Sequence, residues 1–192
     1  DDGRSRPLFE PEAGPTACTW TMLAEPGGGV LIASASGRIR RWTNAGTIDI
    51  EPGSDDGGHL GANFLFRDRS GTTWLGADNG LFRIEDGRIG PAVNEVEASP
   101  LLAAVDAPND GLLIGTDQGL ARFESSEYRA IRTGEWIDGL SVRSIFRQDD
   151  RTLWFGTYGG GLWRLKDGRW FQVGPDRGLA EDVVSCMLSG PS

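Results

Sequence analysis

Four stretches of the chain share one order of apolar and polar positions: VLIASASGRIRRW (Val30 to Trp42), TWLGADNGLFRI (Thr73 to Ile84), LLIGTDQGLARF (Leu112 to Phe123) and LWFGTYGGGLWRL (Leu153 to Leu165). Each runs through two or three consecutive apolar residues, a tiny residue, a small polar residue and a short turn, then a glycine and an alternating run with arginine. A short run apolar at every position, bounded by turn residues, fits a strand buried on both faces. No segment holds apolar spacings of three and four for more than a turn or two, so the elements are strands and not helices.

With Leu31, Trp74, Leu113 and Trp154 taken as equivalent, the repeat steps are 43, 39 and 41 residues. Each period also has an apolar run before the shared stretch (Asn63 to Gly71, Ser144 to Arg151), and an Asp-Gly hairpin signal after it (Glu85 to Arg88, Lys166 to Arg169). A further short run follows, such as Trp170 to Val173. Four antiparallel strands in a period near 40 make one blade, and the expected fold is an all-β propeller segment of about four four-stranded blades. Their approximate limits are 16–51, 62–93, 101–132 and 142–173. A stray outer strand at 6–10 and a stray inner strand at 183–188 complete the phase. The tiny residue of each copy (Ala33, Gly76, Gly115, Gly156) is expected to admit bulky side chains of the adjoining blade. An open arc of this kind leaves apolar blade faces at both ends, so the chain reads as part of a larger ring, completed by further blades of a parent chain or by a second copy. It opens at Asp1 without a signal-like segment, as a mature or excised piece would.

Composition agrees. The 29 glycines are about twice what an average usage of roughly 7% gives, in keeping with many tight turns. A net charge of −9 repels phosphate backbones and anionic headgroups, which argues against a nucleic-acid partner. No apolar run approaches the roughly 18 residues of a membrane helix. Two cysteines, Cys18 and Cys186, and one histidine, His59, cannot build an ordinary four-ligand zinc site, and no metal or cofactor is expected. Both cysteines lie in apolar strand-like runs and read as buried, inert thiols. The run Gly159-Gly160-Gly161 joins two strands, with no helix start and no following Lys-Ser/Thr, so it is a turn and not a phosphate cradle.

The segments DRSGTTWLGADNGLFRI (Asp68 to Ile84) and DDRTLWFGTYGGGLWRL (Asp149 to Leu165), each followed by an Asp-Gly turn, resemble the two-component regulator propeller repeat, as does the link from Gly178 to Ser185. The first copy departs most, with Ala33-Ser34 in place of Gly-Thr and Arg38 in place of the apolar residue after glycine. The resemblance implies the extracytoplasmic, periplasmic sensing region of a bacterial membrane receptor. That receptor's cytoplasmic output is a histidine kinase, a hybrid kinase or a diguanylate cyclase. It implies a non-enzymatic segment that binds a small-molecule or carbohydrate ligand and meets the membrane only through its parent.

Rival classes are a propeller enzyme acting on glycans and a protein-interaction scaffold. The sialidase-type Asp-box fails by one residue of spacing between Asp68 and Gly71, and only Tyr128 and Tyr158 offer a tyrosine nucleophile. A lyase needing several histidines has His59 alone, which reads as a loop residue. The Gly-His and Trp-Asp pairs of WD repeats are missing at blade spacing. Strand direction puts the turns between second and third strands on the same end as the long links between blades, Glu51 to Gly61, Pro91 to Pro100, Arg132 to Leu140 and Gly174 to Asp182. Long links on a rigid scaffold are where binding concentrates. The candidate ligand residues on that end are Trp136 and Tyr158 as aromatic platforms, with Asp138, Asp55, Asp56, His59, Arg177, Glu181 and Asp182 as polar partners.

Overall fold

A computed structural model of the chain describes residues 19–34, 37–52, 61–94, 99–107, 111–124, 127–188 and 190. Sixteen strands form four groups of four. The first group holds β1 (Thr19–Ala24), β2 (Val30–Ser34), β3 (Ile39–Thr43) and β4 (Gly46–Pro52), and the second β5 (Ala62–Arg67), β6 (Thr73–Ala77), β7 (Gly80–Glu85) and β8 (Arg88–Asn94). The third holds β9 (Leu101–Asp106), β10 (Leu112–Thr116), β11 (Gly119–Glu124) and β12 (Glu127–Ile131), and the fourth β13 (Ser141–Asp149), β14 (Thr152–Tyr158), β15 (Leu162–Lys166) and β16 (Arg169–Val173). Consecutive strands within a group pair antiparallel, and a short parallel contact of Glu51 and Pro52 with Arg88 and Ile89 links the first two groups at their outer edges. The innermost strands β1, β5, β9 and β13 neighbour one another in chain order. These are blades arranged around an axis, and the ring is not closed: the protein is a partial β-propeller.

The second strand of each blade carries the packing. Its successive side chains point to opposite faces, so Leu31, Trp74 and Leu113 reach toward the following blade while Leu75, Ile114 and Phe155 reach toward the preceding one. Three apolar clusters result, one per junction. Leu31, Ala33, Ile39 and Ile50 meet Leu65, Leu75, Phe82 and Ile84; Phe64, Trp74 and Leu81 meet Leu112, Ile114 and Phe123; Leu120 and Leu113 meet Val142, Phe155 and Trp163. Leu31, Leu75, Ile114 and Phe155 are fully buried. Each such side chain contributes about 1.5–3 kcal/mol relative to exposure, and no single blade could bury them alone.

The tiny residue does what was expected in the third blade and something else in the second and fourth. At Gly115 the space is taken by Val142 of the next blade, and at Gly156 by the Ser144 hydroxyl of the same blade's inner strand together with Val184 of the C-terminal tail. At Gly76 the occupant is the ring of Phe64, from the neighbouring strand of the same blade. Both Asp-Gly turns adopt left-handed conformations at both residues, with φ of 50 and 76 at Asp86-Gly87 and 50 and 75 at Asp167-Gly168. Those are the values a two-residue hairpin with the twist of its strands demands.

Two expectations are corrected. In the first blade Ala33 pairs with Ile39, so the apolar residue after the turn is present and Arg38 stands where Gly80, Gly119 and Gly161 stand. The first blade therefore shares the longer turn of the fourth. Cys186 is exposed and not buried, on a tail that no strand among the described residues covers. Cys18 and the stray outer strand at 6–10 lie outside the described residues. The tail 183–188 forms a single antiparallel bridge, Val183 to Tyr158.

A Cβ at Gly115 would fall 2.5 Å from the Val142 carbonyl oxygen and 2.9 Å from its Cγ1. Gly115→Ala is therefore expected to destabilise the protein by about 1–3 kcal/mol, read as a lowered urea midpoint, whereas Gly27→Ala in open space shifts it little.

Candidate functional site

Each inner strand contains a β-bulge near its start, and β13 has a second at Gln148. The extra residues near the start are at 20, 63, 102 and 143, each eleven positions ahead of Leu31, Trp74, Leu113 or Trp154. A bulge leaves one residue out of the ladder and re-aims its side chain. Asn63, Leu102 and Arg143 all line a groove of about 860 Å³ that runs along the inner strands, past Thr21, Phe64, Phe66, Ala104 and Ile145, to the tail residues Cys186 and Met187. This groove is the axial channel of the partial ring.

At one end of the channel, in the second, third and fourth blades, the residue that opens the turn between second and third strands meets a residue of the inner edge. Asn63 Nδ2 donates to Asp78 Oδ1 at 2.7 Å. The Ser99 hydroxyl donates to Asp117 Oδ1. The Arg143 guanidinium lies 5.0 Å from the centre of the Tyr158 ring. Asp78, Asp117 and Tyr158 occupy the same repeat position, so the fold presents two carboxylates and one aromatic cation pair around a single mouth. Asn63, Asp78, Asp117 and Arg143 line the groove along with the apolar wall. The mouth combines hydrogen-bond acceptors, a guanidinium and ring edges above an apolar floor, the makeup of a small-ligand site.

The sequence-named residues divide into three groups. Tyr158 stands at the mouth, 57% exposed, and the turn that follows it is held by the Asp182 carbonyl, which accepts from the amides of Gly159 and Gly161 at 2.9 Å each. Trp136 and Asp138 sit in the link before β13. Trp136 is 85% exposed, while the Asp138 carboxylate accepts from the Thr133 amide and hydroxyl and from the Gly134 amide at 2.9–3.0 Å. Gly139 N then donates to the Gln118 carbonyl at 3.1 Å, which fastens that link beside the turn of Asp117. Arg177 and Asp182 line a separate shallow groove of about 390 Å³ with Trp170 and Phe171, and Glu181 is exposed nearby. Asp55, Asp56 and His59 lie outside the described residues.

Asp68 shows that the near Asp-box is a folding device. Its carboxylate accepts from the Ser70 hydroxyl at 2.6 Å, the Thr72 amide at 2.9 Å and the Trp74 indole at 2.7 Å, closing the turn at the opposite end of the blade. In the fourth blade the work is shared: Gln148 accepts from Trp154 at 2.7 Å and Asp149 from the Arg151 amide at 2.8 Å. Burial pushes the Asp68 and Asp138 carboxyls up, but the hydrogen bonds outweigh it and hold both below 3.8. Tyr128 goes the other way. Burial, with the Asp117 charge added, pushes its hydroxyl up to about 12, so it keeps its proton and is a poor nucleophile.

Sequence reasoning missed Asn63, Asp78, Asp117 and Arg143 as site residues. The signal available was a polar residue eleven positions ahead of the shared stretch in the second and fourth copies, Asn63 and Arg143, together with the acidic pair opening two of the turns.

The fold and the channel define the class: a partial β-propeller with a polar mouth. No family model matches the chain, and no curated protein matches it. Among solved structures it resembles a catalytically inactive virginiamycin B lyase from Staphylococcus aureus with quinupristin, at TM-score 0.68 and 18% identity over 84% of this chain and 57% of that one. It resembles the extracellular domain of the putative hybrid two component system BT4673 from B. thetaiotaomicron at TM-score 0.67 and 16% identity, over 94% of this chain and 26% of that one. PorZ, a bacterial surface component of the type-IX secretion system of Porphyromonas gingivalis, gives 0.67 and 13% over 95% and 32%. At such identities the likeness concerns the fold, and the chain spans less than two thirds of the length of each.

Because both carboxyls are depressed in the folded state, their stabilisation is complete above the unfolded value of about 3.9 and is lost as pH falls through the lower folded values. Thermal scans between pH 6 and 2 are expected to show a falling midpoint below about pH 4, less steep in Asp68→Asn. At pH 7, Asp138→Ala is expected to cost about 1–3 kcal/mol and Trp136→Ala to stay within about 0.5 kcal/mol of the parent.

Proposed function

We propose that this propeller segment is the ligand-reading part of an extracytoplasmic bacterial receptor of the two-component type, and that the ligand is read at the channel mouth. The observation that carries the reading is that three equivalent turn residues meet the inner edge, Asp78 at the bulged Asn63, Tyr158 at the bulged Arg143 and Asp117 at Ser99, with both aspartates lining the channel groove. Every acceptor there belongs to a rigid blade, which limits the ordering cost of binding. The repeat resemblance and the BT4673 extracellular domain as a structural neighbour support the receptor setting.

The chemistry of the mouth favours a neutral, hydroxyl-rich molecule such as a short oligosaccharide. Carboxylates with one oxygen already engaged keep the other for a ligand hydroxyl, Arg143 donates to ring and hydroxyl oxygens, and Tyr158 offers a face for stacking. Trp136, exposed on the adjacent link, is a second contact for a longer ligand.

A thermal-shift screen of the 192-residue chain with neutral oligosaccharides tests this. Binding is expected to raise the melting temperature saturably, with a stabilisation of about 2.7 kcal/mol at 100 times Kd. Asn63→Ala and Asp117→Ala each remove most of the shift, and Trp136→Ala removes less. A shift untouched by either mouth variant would refute the site, and turnover of a chromogenic glycoside or lactone would turn the assignment to the enzyme class.

A further inference from the structure

The fourth blade ends in a face built for burial. Trp154 is the repeat equivalent of Trp74, and their surroundings match: each indole donates to a turn residue at 2.7 Å, each faces a phenylalanine of the inner strand (Phe66 and Phe146), and each lies under a cross-strand arginine, at 5.0 Å for Arg83 and 5.3 Å for Arg164. Inside the protein that face is covered. Trp74 is 4% exposed, with the ring of Phe123 from the third blade edge-on at 5.4 Å and Tyr128 packed on the same cluster. On the fourth blade the same face is met by no sheet among the described residues. Phe171, stacked on Arg164 at 4.8 Å, is 40% exposed, and the buried Arg164 Nε has no acceptor there.

The tail decides what belongs on this face. A Cβ at Gly156 would meet the Val184 carbonyl oxygen at 2.5 Å and Val184 Cγ1 at 2.8 Å, against 2.5 and 2.9 Å for Gly115 and Val142. Val184 N donates to the Thr157 carbonyl at 2.9 Å, and Val183 bridges Tyr158. Val184 therefore holds, on the fourth blade, the seat that Val142 of the fourth blade's inner strand holds on the third.

We infer that residues 183–188 are the innermost strand of a fifth blade in the making, and that the Trp154–Arg164–Phe171 face is the docking surface for the three strands that complete it. The occupant is a four-stranded sheet of the same repeat, presenting an aromatic side chain at the position of Phe123 and a backbone or hydroxyl acceptor to Arg164. Continuity with the second junction supplies the geometry. A second copy of the chain fits less well, because its first blade would bring its own innermost strand, β1, to the seat that the tail already fills. The Trp154–Arg164–Phe171 face shares no residue with the channel mouth, whereas the tail touches it through the Val183–Tyr158 bridge and lines the channel with Cys186 and Met187.

The test begins with the natural chain. It is expected to sediment as a monomer and to bind a hydrophobic dye, with dye binding reduced in Phe171→Ser at an unchanged circular dichroism spectrum. A discrete dimer dissociated by Phe171→Ser would overturn the inference in favour of a second copy, and a monomer that binds no dye would overturn the docking face. Hydrogen exchange is expected to show the Val184 amide protected and Val184→Asp to abolish that protection; a freely exchanging Val184 would overturn the seat. Residues 107–131 appended after Leu188 supply the missing strands with Phe123 and Tyr128. The extended chain is expected to bind less dye and melt at least about 2 °C higher, both reversed by Val184→Asp. An extended chain that folds and still binds dye as the parent does would refute the fit. Should the extension not fold, exchange at Val184 and the dye and sedimentation results on the natural chain decide.

Discussion

The structure depends on one steric demand: the second strand of a blade with neighbours on both sides is pressed between two sheets and must be apolar on both faces. Leu31, Trp74, Leu113 and Trp154 answer it on the side of the following blade, and Ile32, Leu75, Ile114 and Phe155 on the side of the preceding one. The demand explains why a repeat with so little sequence identity between copies keeps this stretch recognisable. It also explains the tiny residue after it, since sheets that interdigitate this closely leave room for Phe64, Val142 or Val184 only where a side chain is missing.

The candidate site lies where the same strands stop obeying the rule. At the inner edge the ladder slips by one residue in each blade, and Asn63, Leu102 and Arg143, freed from pairing, line the channel. Bulges beside the turns put Asn63 against Asp78 and Arg143 against Tyr158, so polar groups gather at a mouth whose floor is the apolar inner strands. A rigid stack thus positions its chemistry through exceptions to its own pairing. The opposite end uses comparable chemistry for another purpose: Asp68 spends its carboxylate on Ser70, Thr72 and the indole of Trp74, and has little left for a ligand.

Much of the architecture was legible in the chain. Consecutive apolar residues, Asp-Gly pairs and a period near 40 point to strands, hairpins and blades, and the Asp86 and Asp167 turns take the conformations those pairs require. The end of the propeller that carries the long links was legible from strand direction alone. The mouth was harder to see, because a bulge is a property of two paired strands and leaves only a faint trace in one. Asp78 and Asp117 looked like ordinary turn residues for the same reason. Asp138 was named for its charge, yet its oxygens are committed to Thr133 and Gly134, a local capping pattern that becomes visible only once the link is folded. Cys186 read as buried because its run is apolar, yet it is exposed on a tail that no sheet among the described residues covers.

The account stands or falls on the place where ligand meets blade. Backbone amide resonances of the chain titrated with neutral oligosaccharides measure it directly. The account predicts perturbations gathered around residues 61–64, 77–80, 99–103, 116–119, 141–144 and 157–160, at the channel mouth. Perturbations gathered instead at the opposite end, around residues 68–72 and 149–152, or on the outer strands β12 and β16, would contradict it.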